Sequence, residues 1–245
     1  MNIFLNNEQK QVDMYNLYKP YLYDNDRHIY LNSEGWTKLI HQSFDKIIED
    51  NFGMHPIKER CWADNYKDGR RRVISIFLVN DMFATLKYGW NFNYIPRTDG
   101  RKKISWCRTD KTIYTHTFKL SEDFINYNQK KRKSVFGRNG YTNDPSGFNL
   151  LMKEHKTAWD TIYPEIFDYY EKTSTYEGLL NNLRELKKSG YYNLINSGNH
   201  IVYIFVEKYT GNDIQAEKDF EELQFYDEQT KNDFYKKLQM VNNKI

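Results

Sequence analysis

The sequence predicts an α+β fold, with an antiparallel β-meander of about five strands packed with an N-terminal helix and a C-terminal group of helices. Three observations support this prediction. Apolar and polar residues alternate through much of residues 56–120, helical periodicity governs the segments on either side, and the strands precede most helices instead of alternating with them. The 245 residues suffice for one domain, which we place at 33–245, preceded by an N-terminal extension at 1–32.

The N-terminal part of the chain contains the first predicted helices. Residues 1–31 are rich in tyrosine and are interrupted by Pro20, which allows one short helix before it and favours packing of the rings on the domain. The next helix begins with Ser33 as its cap and ends before Gly53. Its apolar residues follow one helical face and are Trp36, Leu39, Ile40, Phe44, Ile47 and Ile48.

The sheet is predicted at residues 56–120. Asp68-Gly69 is typical of a two-residue hairpin turn, and the following run from Val73 to Val79 is apolar on both faces, as in a central strand. Residues 82–95 are apolar or aromatic at every second position from Met82 to Tyr94 and predict a long strand with one face buried. Gly89 would permit a bulge in this strand, and Pro96 would end it.

Residues 121–245 are predicted to be largely helical. A helix starts near Ser121, and Ser174 caps another that stops at Gly190. Pro164 is expected to kink or restart the helix at 146–172. Composition alone allows strand or helix at 199–209. The remaining predicted helices are one capped by Gly211-Asn212-Asp213 and a last one at 227–241.

Composition excludes several classes of protein. Aromatic residues make up 17% of the chain, which argues against a disordered tail. The mean hydropathy is −0.88, and no apolar stretch approaches the roughly 18 residues of a spanning helix. The N-terminus lacks a basic flank followed by an apolar run. We therefore expect a cytoplasmic protein with no membrane partner, in which Cys61 and Cys107 are reduced thiols.

The charge distribution is uneven. Residues 97–138 contain 12 basic and 4 acidic side chains, a local net charge of +8, whereas the whole chain carries only +3. The remainder is therefore at −5. Such an asymmetry can create a face that attracts anions, but a solvated hairpin followed by a lysine-rich loop is the simpler explanation.

The sequence contains no recognisable catalytic signature. Phosphate-binding glycine loops, a nucleophile elbow and closely spaced metal-binding histidines are all missing from it. We expect no cofactor and no metal, with His116 as a satisfied histidine on the sheet. Enzymatic activity is left open but disfavoured, and a hydrolase with a dispersed site is the form in which it would occur.

Binding is the alternative to catalysis, and the basic segment provides most of the candidate residues. Lysines and arginines can track a phosphate backbone, and neighbouring aromatic rings can stack on bases. The same residue types also suit a protein interface. The candidate binding residues are Trp90, Tyr94, Arg97, Trp106, Arg108, Lys130, Lys131, Arg132 and Lys133.

Two short motifs resemble a bacterial family known as domain of unknown function 4304. They are the stretch from Tyr88 to Pro96, YGWNFNYIP, and the segment from Ser105 to Lys111, SWCRTDK. The pattern of residues 166–186 and 202–223 is similar to the helices of that family, so the resemblance spans about 33–225 but leaves the insertion at 126–148 unmatched. It implies helix at 199–209 and a bacterial origin, and it brings no catalytic residues.

Together these observations favour a bacterial-type, non-enzymatic module that binds another macromolecule, most simply a protein. A role in immunity or antiviral defence is an analogy with other small α+β families. The alternative is a nucleic-acid-binding or nuclease-accessory protein that uses residues 97–138.

Overall fold

The computed structural model confirms the predicted α+β class and describes residues 8–25, 28–98, 104–106, 116–125, 132–138, 144–189, 199–225 and 227–241. Its helices are α1 (Glu8–Tyr18), α2 (Ser33–Phe52), α3 (Glu122–Ile125), α4 (Pro145–Lys172), α5 (Tyr176–Ser189), α6 (Asn199–Tyr209), α7 (Asp213–Glu221) and α8 (Glu228–Gln239). Its strands are β1 (Leu22–Asn25), β2 (His28–Leu31), β3 (His55–Lys58), β4 (Cys61–Ala63), β5 (Arg70–Leu78), β6 (Phe83–Phe92), β7 (Pro96–Thr98), β8 (Ile104–Trp106), β9 (Thr117–Leu120) and β10 (Phe136–Gly137).

The main sheet has six strands in the order β10-β6-β5-β4-β3, and β9 also pairs with β6. Two further antiparallel pairs, β1-β2 and β7-β8, form separate small sheets. The turn between Lys67 and Arg70 has the predicted Asp-Gly centre, with φ of 49° at Asp68 and 77° at Gly69. Positive φ at both central residues is the requirement of the tight hairpin turn that the sequence indicated.

Contacts divide the chain into two compact units. The first unit comprises Met1–Asp64, Ile74–Lys87 and Leu120–Ile166, and the second comprises Asn65–Val73, Tyr88–Lys119 and Phe167–Ile245. Strands β5 and β6 and helix α4 contribute residues to both units. The expected division into an extension at 1–32 and one domain at 33–245 stays a prediction.

The first unit has an aromatic core beneath α2. The ring of Phe44 lies parallel to His155 at 5.6 Å and contacts Trp62, Phe136 and Trp159. The indole N–H of Trp62 donates to Asp45 at 2.6 Å, so the polar edge of this buried ring is satisfied. In the N-terminal segment, Tyr18 is buried and stacks on Phe148 at 5.4 Å, which agrees with the expected packing role.

The second unit joins the end of α4 to the strands by hydrogen bonds from ring side chains. The Tyr170 hydroxyl lies 2.9 Å from the carbonyl of Val73 and 3.2 Å from both backbone polar atoms of Gly89. The Trp90 indole donates to Thr173 at 2.8 Å. Helices α6 and α7 pack as a hairpin, with Gly211 at a φ of 85° in the turn. The structure thus confirms a helix at 199–209.

Several local predictions were wrong. Asn32, not Ser33, caps α2, because its side chain accepts from the backbone N–H of Gly35. At the start of α5, the hydroxyl of Thr175, not that of Ser174, accepts a hydrogen bond from the backbone N–H of Gly178. In both places the true cap is the neighbour of the expected residue. Adjacent Asn/Ser or Ser/Thr residues are nearly equivalent caps, so local chemistry could not distinguish them.

The long strand at 82–95 also differs from its prediction. Strand β6 ends at Phe92, the chain turns, and Pro96 begins β7 instead of ending β6. Both faces of β6 are buried, because Thr85 and Asn91 are as inaccessible as the aromatic residues between them. Pro164 does not restart the helix, since α4 continues through it from Pro145 to Lys172, and a kink there stays a prediction. The hairpin β1-β2 was not predicted at all.

Candidate functional site

A surface pocket of about 380 Å³ in the first unit contains two of the predicted binding residues, Arg132 and Lys133. One wall is the turn at 132–135, and the other is the face of α4 that presents residues at i, i+3, i+4 and i+7. The lining residues are Arg132, Lys133, Val135, Leu150, Lys153, Glu154 and Thr157. Three cations and one carboxylate leave the described lining at a net charge of +2.

The turn at 132–135 is held in place by hydrogen bonds on both sides. The backbone N–H of Ser134 donates to the Asp123 carboxylate at 2.8 Å, and its carbonyl accepts from the Thr85 hydroxyl at 2.8 Å. One residue further on, Phe136 pairs with Ala84 of β6. These contacts fix the backbone next to the pocket, so its cationic side chains project from a rigid support.

Helix α4 is equally well anchored at its first turn. The Asp144 carboxylate accepts from the backbone N–H of Gly147 and from the Ser146 hydroxyl, both at 2.7 Å. The bond from Gly147 lowers the pKa of Asp144, because it stabilises the carboxylate form. A capped start stabilises the first turn of the helix that presents Leu150 and Lys153 to the pocket.

Arg132 lies over an aromatic ring, with its guanidinium carbon 4.8 Å from the centre of Phe124. Phe124 in turn contacts Phe77 edge-on at 6.1 Å. Stacking of this kind orients a guanidinium plane while its N–H groups remain directed outward along the plane. Leu150, of which 49% is exposed, adds an apolar surface to the same pocket. The pocket can therefore hold an anionic group next to an aliphatic one.

The predicted stacking rings lie elsewhere. Trp90 and Tyr94 are each only 6% exposed. Tyr94 lies parallel to Tyr209 with ring centres 4.0 Å apart, and burial raises its pKa well above the ordinary value. Trp106 is half-buried, and the Lys237 ammonium lies 4.5 Å from the centre of its ring. These positions indicate packing for Trp90 and Tyr94.

The other predicted residues are only partly described. Arg97 lies on β7, where it pairs with Ser105, and its side chain is outside the described part of the structure. Arg108, Lys130 and Lys131 fall outside the described residues entirely. The structure brings Arg132 and Lys133 together in one site, and it adds Lys153 and Leu150, which sequence reasoning missed. Nothing in the sequence shows that these α4 residues face the 132–135 turn.

The arginine triplet at 70–72 is engaged with rings in the second unit. The Arg70 guanidinium lies 4.4 Å from the ring centre of Trp90 and 4.3 Å from that of Tyr176, and it donates to the carbonyl oxygens of Thr173 and Ser174. Burial lowers the pKa of Arg70. A buried cation at the carbonyl end of α4 offsets the negative end of the helix dipole. The role of Arg70 is structural.

Within the described ranges, no group of three or more histidine, cysteine, aspartate or glutamate side chains could hold a metal ion. No described helix is long and apolar enough to cross a membrane. His116 donates from Nε2 to the carbonyl of Ile95 and accepts at Nδ1 from the backbone N–H of Phe92, both at 3.0 Å. Comparison with protein-family models, curated proteins and solved structures finds no match to the chain.

Proposed function

We propose that this protein is a non-enzymatic binding module whose pocket, formed by residues 132–135 and α4, accepts an acidic segment of a partner protein. The observation that carries this proposal is the composition of the pocket. Arg132, Lys133 and Lys153 surround a volume of about 380 Å³ that also has aliphatic walls from Val135 and Leu150. A carboxylate can meet the cations while a neighbouring apolar side chain covers Leu150.

The pocket composition favours an acidic protein segment over a single-stranded nucleic acid. Nonspecific single-strand binding combines a basic groove with aromatic rings on which successive bases stack. The described lining of this pocket contains no aromatic residue, and Trp90 and Tyr94 are buried. Nucleic-acid binding through residues 97–138 is the alternative that the experiment below distinguishes.

The resemblance to domain of unknown function 4304 extends the proposal to a bacterial immunity or antiviral-defence component. This extension rests on analogy between folds. It adds one expectation: the physiological partner is a protein with an acidic surface segment. Affinity capture with the double variant described below as a negative control would identify that partner.

Charge reversal in the pocket is the direct test. We expect a fluorescent ten-residue peptide of alternating Glu and Leu to bind the wild-type protein, and K133E/K153E to weaken binding at least about tenfold. Loss of two charge-assisted contacts, each worth roughly 1.5–3 kcal/mol when well formed, accounts for such a change. Fluorescence anisotropy at constant ionic strength provides the measurement.

The matched control is K46E/K236E. Both lysines are exposed and lie outside the pocket lining, so this variant has the same net charge as the pocket variant. Equal weakening by the two double variants would show a general charge effect and would contradict the proposal. If a ten-residue oligothymidine binds more tightly than the peptide and its binding depends on Lys133 and Lys153, the ligand of the pocket is a nucleic acid and not an acidic segment.

A further inference from the structure

A second cationic cluster in the first unit lies at the start of α2 and shares no residue with the pocket. Two arginines that are far apart in the sequence meet on one indole ring. The guanidinium carbon of Arg60 lies 5.8 Å from the ring centre of Trp36, and that of Arg138 lies 5.5 Å from it. Arg138 is also 5.5 Å from the ring centre of Tyr30.

Arg60 is held in its position by several contacts. Its Nε and Nη2 donate to the Thr37 hydroxyl at 3.0 and 2.7 Å, and Nη2 is 3.5 Å from the Ser33 hydroxyl. The backbone N–H of Arg60 donates to Nε2 of His41 at 3.2 Å. Its φ of 58° lies in the left-handed region, which costs a non-glycine residue roughly 1–2 kcal/mol. The surrounding contacts therefore impose an unfavourable backbone geometry that directs this side chain to α2.

The cluster presents hydrogen-bond donors that lack an acceptor. Trp36 is 2% exposed, and neither its Nε1 nor the Nε of Arg138 has a hydrogen-bond partner among the described residues. The described ion pairs give neither Arg60 nor Arg138 a carboxylate, while Glu34 in the same helical turn pairs with Lys38 at 3.0 Å. Two positive charges on one ring, with no acid paired to either among the described residues, repel each other, and a bound anion would reduce that cost.

The position of the cluster at the start of a long helix also favours a bound anion. Helix α2 has 20 residues and begins at Ser33, one turn from Trp36. The N-terminus of a long helix has a partial positive charge and favours an anion. Both arginines are half-buried rather than enclosed, so each side chain keeps part of its surface open to solvent.

We propose that Arg60, Arg138 and Trp36 form a binding site for a phosphate dianion. Two guanidinium groups match the charge of a dianion, and their planar arrays of donors suit its several oxygens better than a lysine would. The same chemistry would recognise free inorganic phosphate or the terminal phosphate of a small monoester. The site is independent of the pocket and does not rest on the proposed function.

Nuclear magnetic resonance titration tests this site. The protein contains 5 tryptophans, and W36F assigns the Trp36 indole N–H signal. Inorganic phosphate, with sodium chloride adjusted to constant ionic strength, should shift that signal in a saturable way. R60Q and R138Q should each raise the dissociation constant at least about fivefold, because each removes a charge-assisted contact. R72Q, which removes an arginine lying 5.6 Å from the ring centre of Tyr170, is the control and should leave the constant unchanged.

A parallel titration with glycerol phosphate distinguishes free phosphate from a phosphate monoester as the ligand. Tighter binding of glycerol phosphate indicates a monoester, and tighter binding of inorganic phosphate indicates the free ion. If a glutamine variant loses its dispersed amide spectrum, R60K and R138K replace it, and they too should weaken binding. An unchanged Trp36 signal with both ligands would overturn the proposal, as would equal weakening by R72Q. K133E/K153E should not affect phosphate binding, so failure at one site leaves the other standing.

Discussion

At the scale of single residues, two buried histidines show how the surroundings determine the role of an imidazole ring. His116 has a hydrogen-bond partner at each ring nitrogen, which fixes one neutral tautomer with the proton on Nε2. His155 lies among Phe44 and Phe136 with Nδ1 at 3.0 Å from the Ser43 hydroxyl. Burial lowers the pKa of His155 to about 3. Both side chains belong to the core.

His155 predicts acid sensitivity. An unfolded histidine has a pKa of about 6.5, so the unfolded state binds the proton first and stability falls as pH drops below that value toward 3. Between pH 7 and pH 5 the loss from this residue amounts to roughly 2 kcal/mol. We expect the unfolding free energy of S43A/H155F, measured with urea, to change less over this interval than that of the wild type. H55Q, at an exposed histidine, should retain the full change, and an unaltered slope in S43A/H155F would contradict the assignment.

At the scale of elements, the close approach of strand β9 to strand β6 depends on a glycine in β6. A Cβ atom at Gly89 would lie 1.8 Å from the carbonyl oxygen of Thr117, which no side-chain rotation can relieve. The sequence suggested a bulge here, but the structure shows close approach of two backbones instead. Because Trp90 N–H donates to the Thr117 hydroxyl at 3.0 Å, β6 and β9 are joined at this point.

Two glycine-to-alanine variants separate steric clash from backbone strain. G89A should destabilise the protein by about 3 kcal/mol or more, because overpacking forces the strands apart. G53A introduces alanine at a φ of 66° with no atom within 4 Å of the added carbon, so it should cost only about 1 kcal/mol. Thermal unfolding followed by circular dichroism measures both. A G89A loss no larger than that of G53A would show that β9 does not approach β6 so closely.

At the scale of the whole molecule, the tyrosine content is the most distinctive feature, with 21 residues in 245. Many of these rings are core components with polar edges, and burial raises the pKa of several hydroxyls. The pKa of Tyr169 rises to about 12, and those of Tyr18, Tyr94 and Tyr176 are also raised. Three of these hydroxyls form hydrogen bonds: Tyr18 with Gln42, Tyr169 with Thr117 and Tyr176 with the carbonyl of Asp68.

These tyrosines predict alkaline sensitivity. Their stabilisation is complete below the unfolded pKa of about 10 and is lost as the pH rises from there toward the folded value. Tyr169 alone should contribute a loss of about 1 kcal/mol at pH 11. Y169F should therefore lose less stability between pH 8 and pH 11 than the wild type, whereas Y23F, at a 53% exposed position, should match it. Absorbance at high pH would follow ionisation of the tyrosine hydroxyls. Ionisation of all tyrosines in a single step, without unfolding, would contradict this prediction.

The sequence by itself determined the fold class and the type of most elements. Helix α2, the Asp68-Gly69 turn and α4 could be predicted because amphipathic periodicity and turn chemistry depend on neighbours within a few residues. The basic character of Arg132 and Lys133 was equally visible. Cap positions failed by one residue, because adjacent polar residues cap helices almost equally well.

Only the tertiary structure decided which distant residues meet. Lys153 faces the turn at 132–135, and Arg60 and Arg138 share one indole although 78 positions separate them in the sequence. The tertiary structure also buries Trp90, because both faces of β6 are covered. Periodicity specifies which side of an element is apolar but not what covers the other side. Both proposed sites are therefore products of packing, whereas the elements that carry them follow from local sequence.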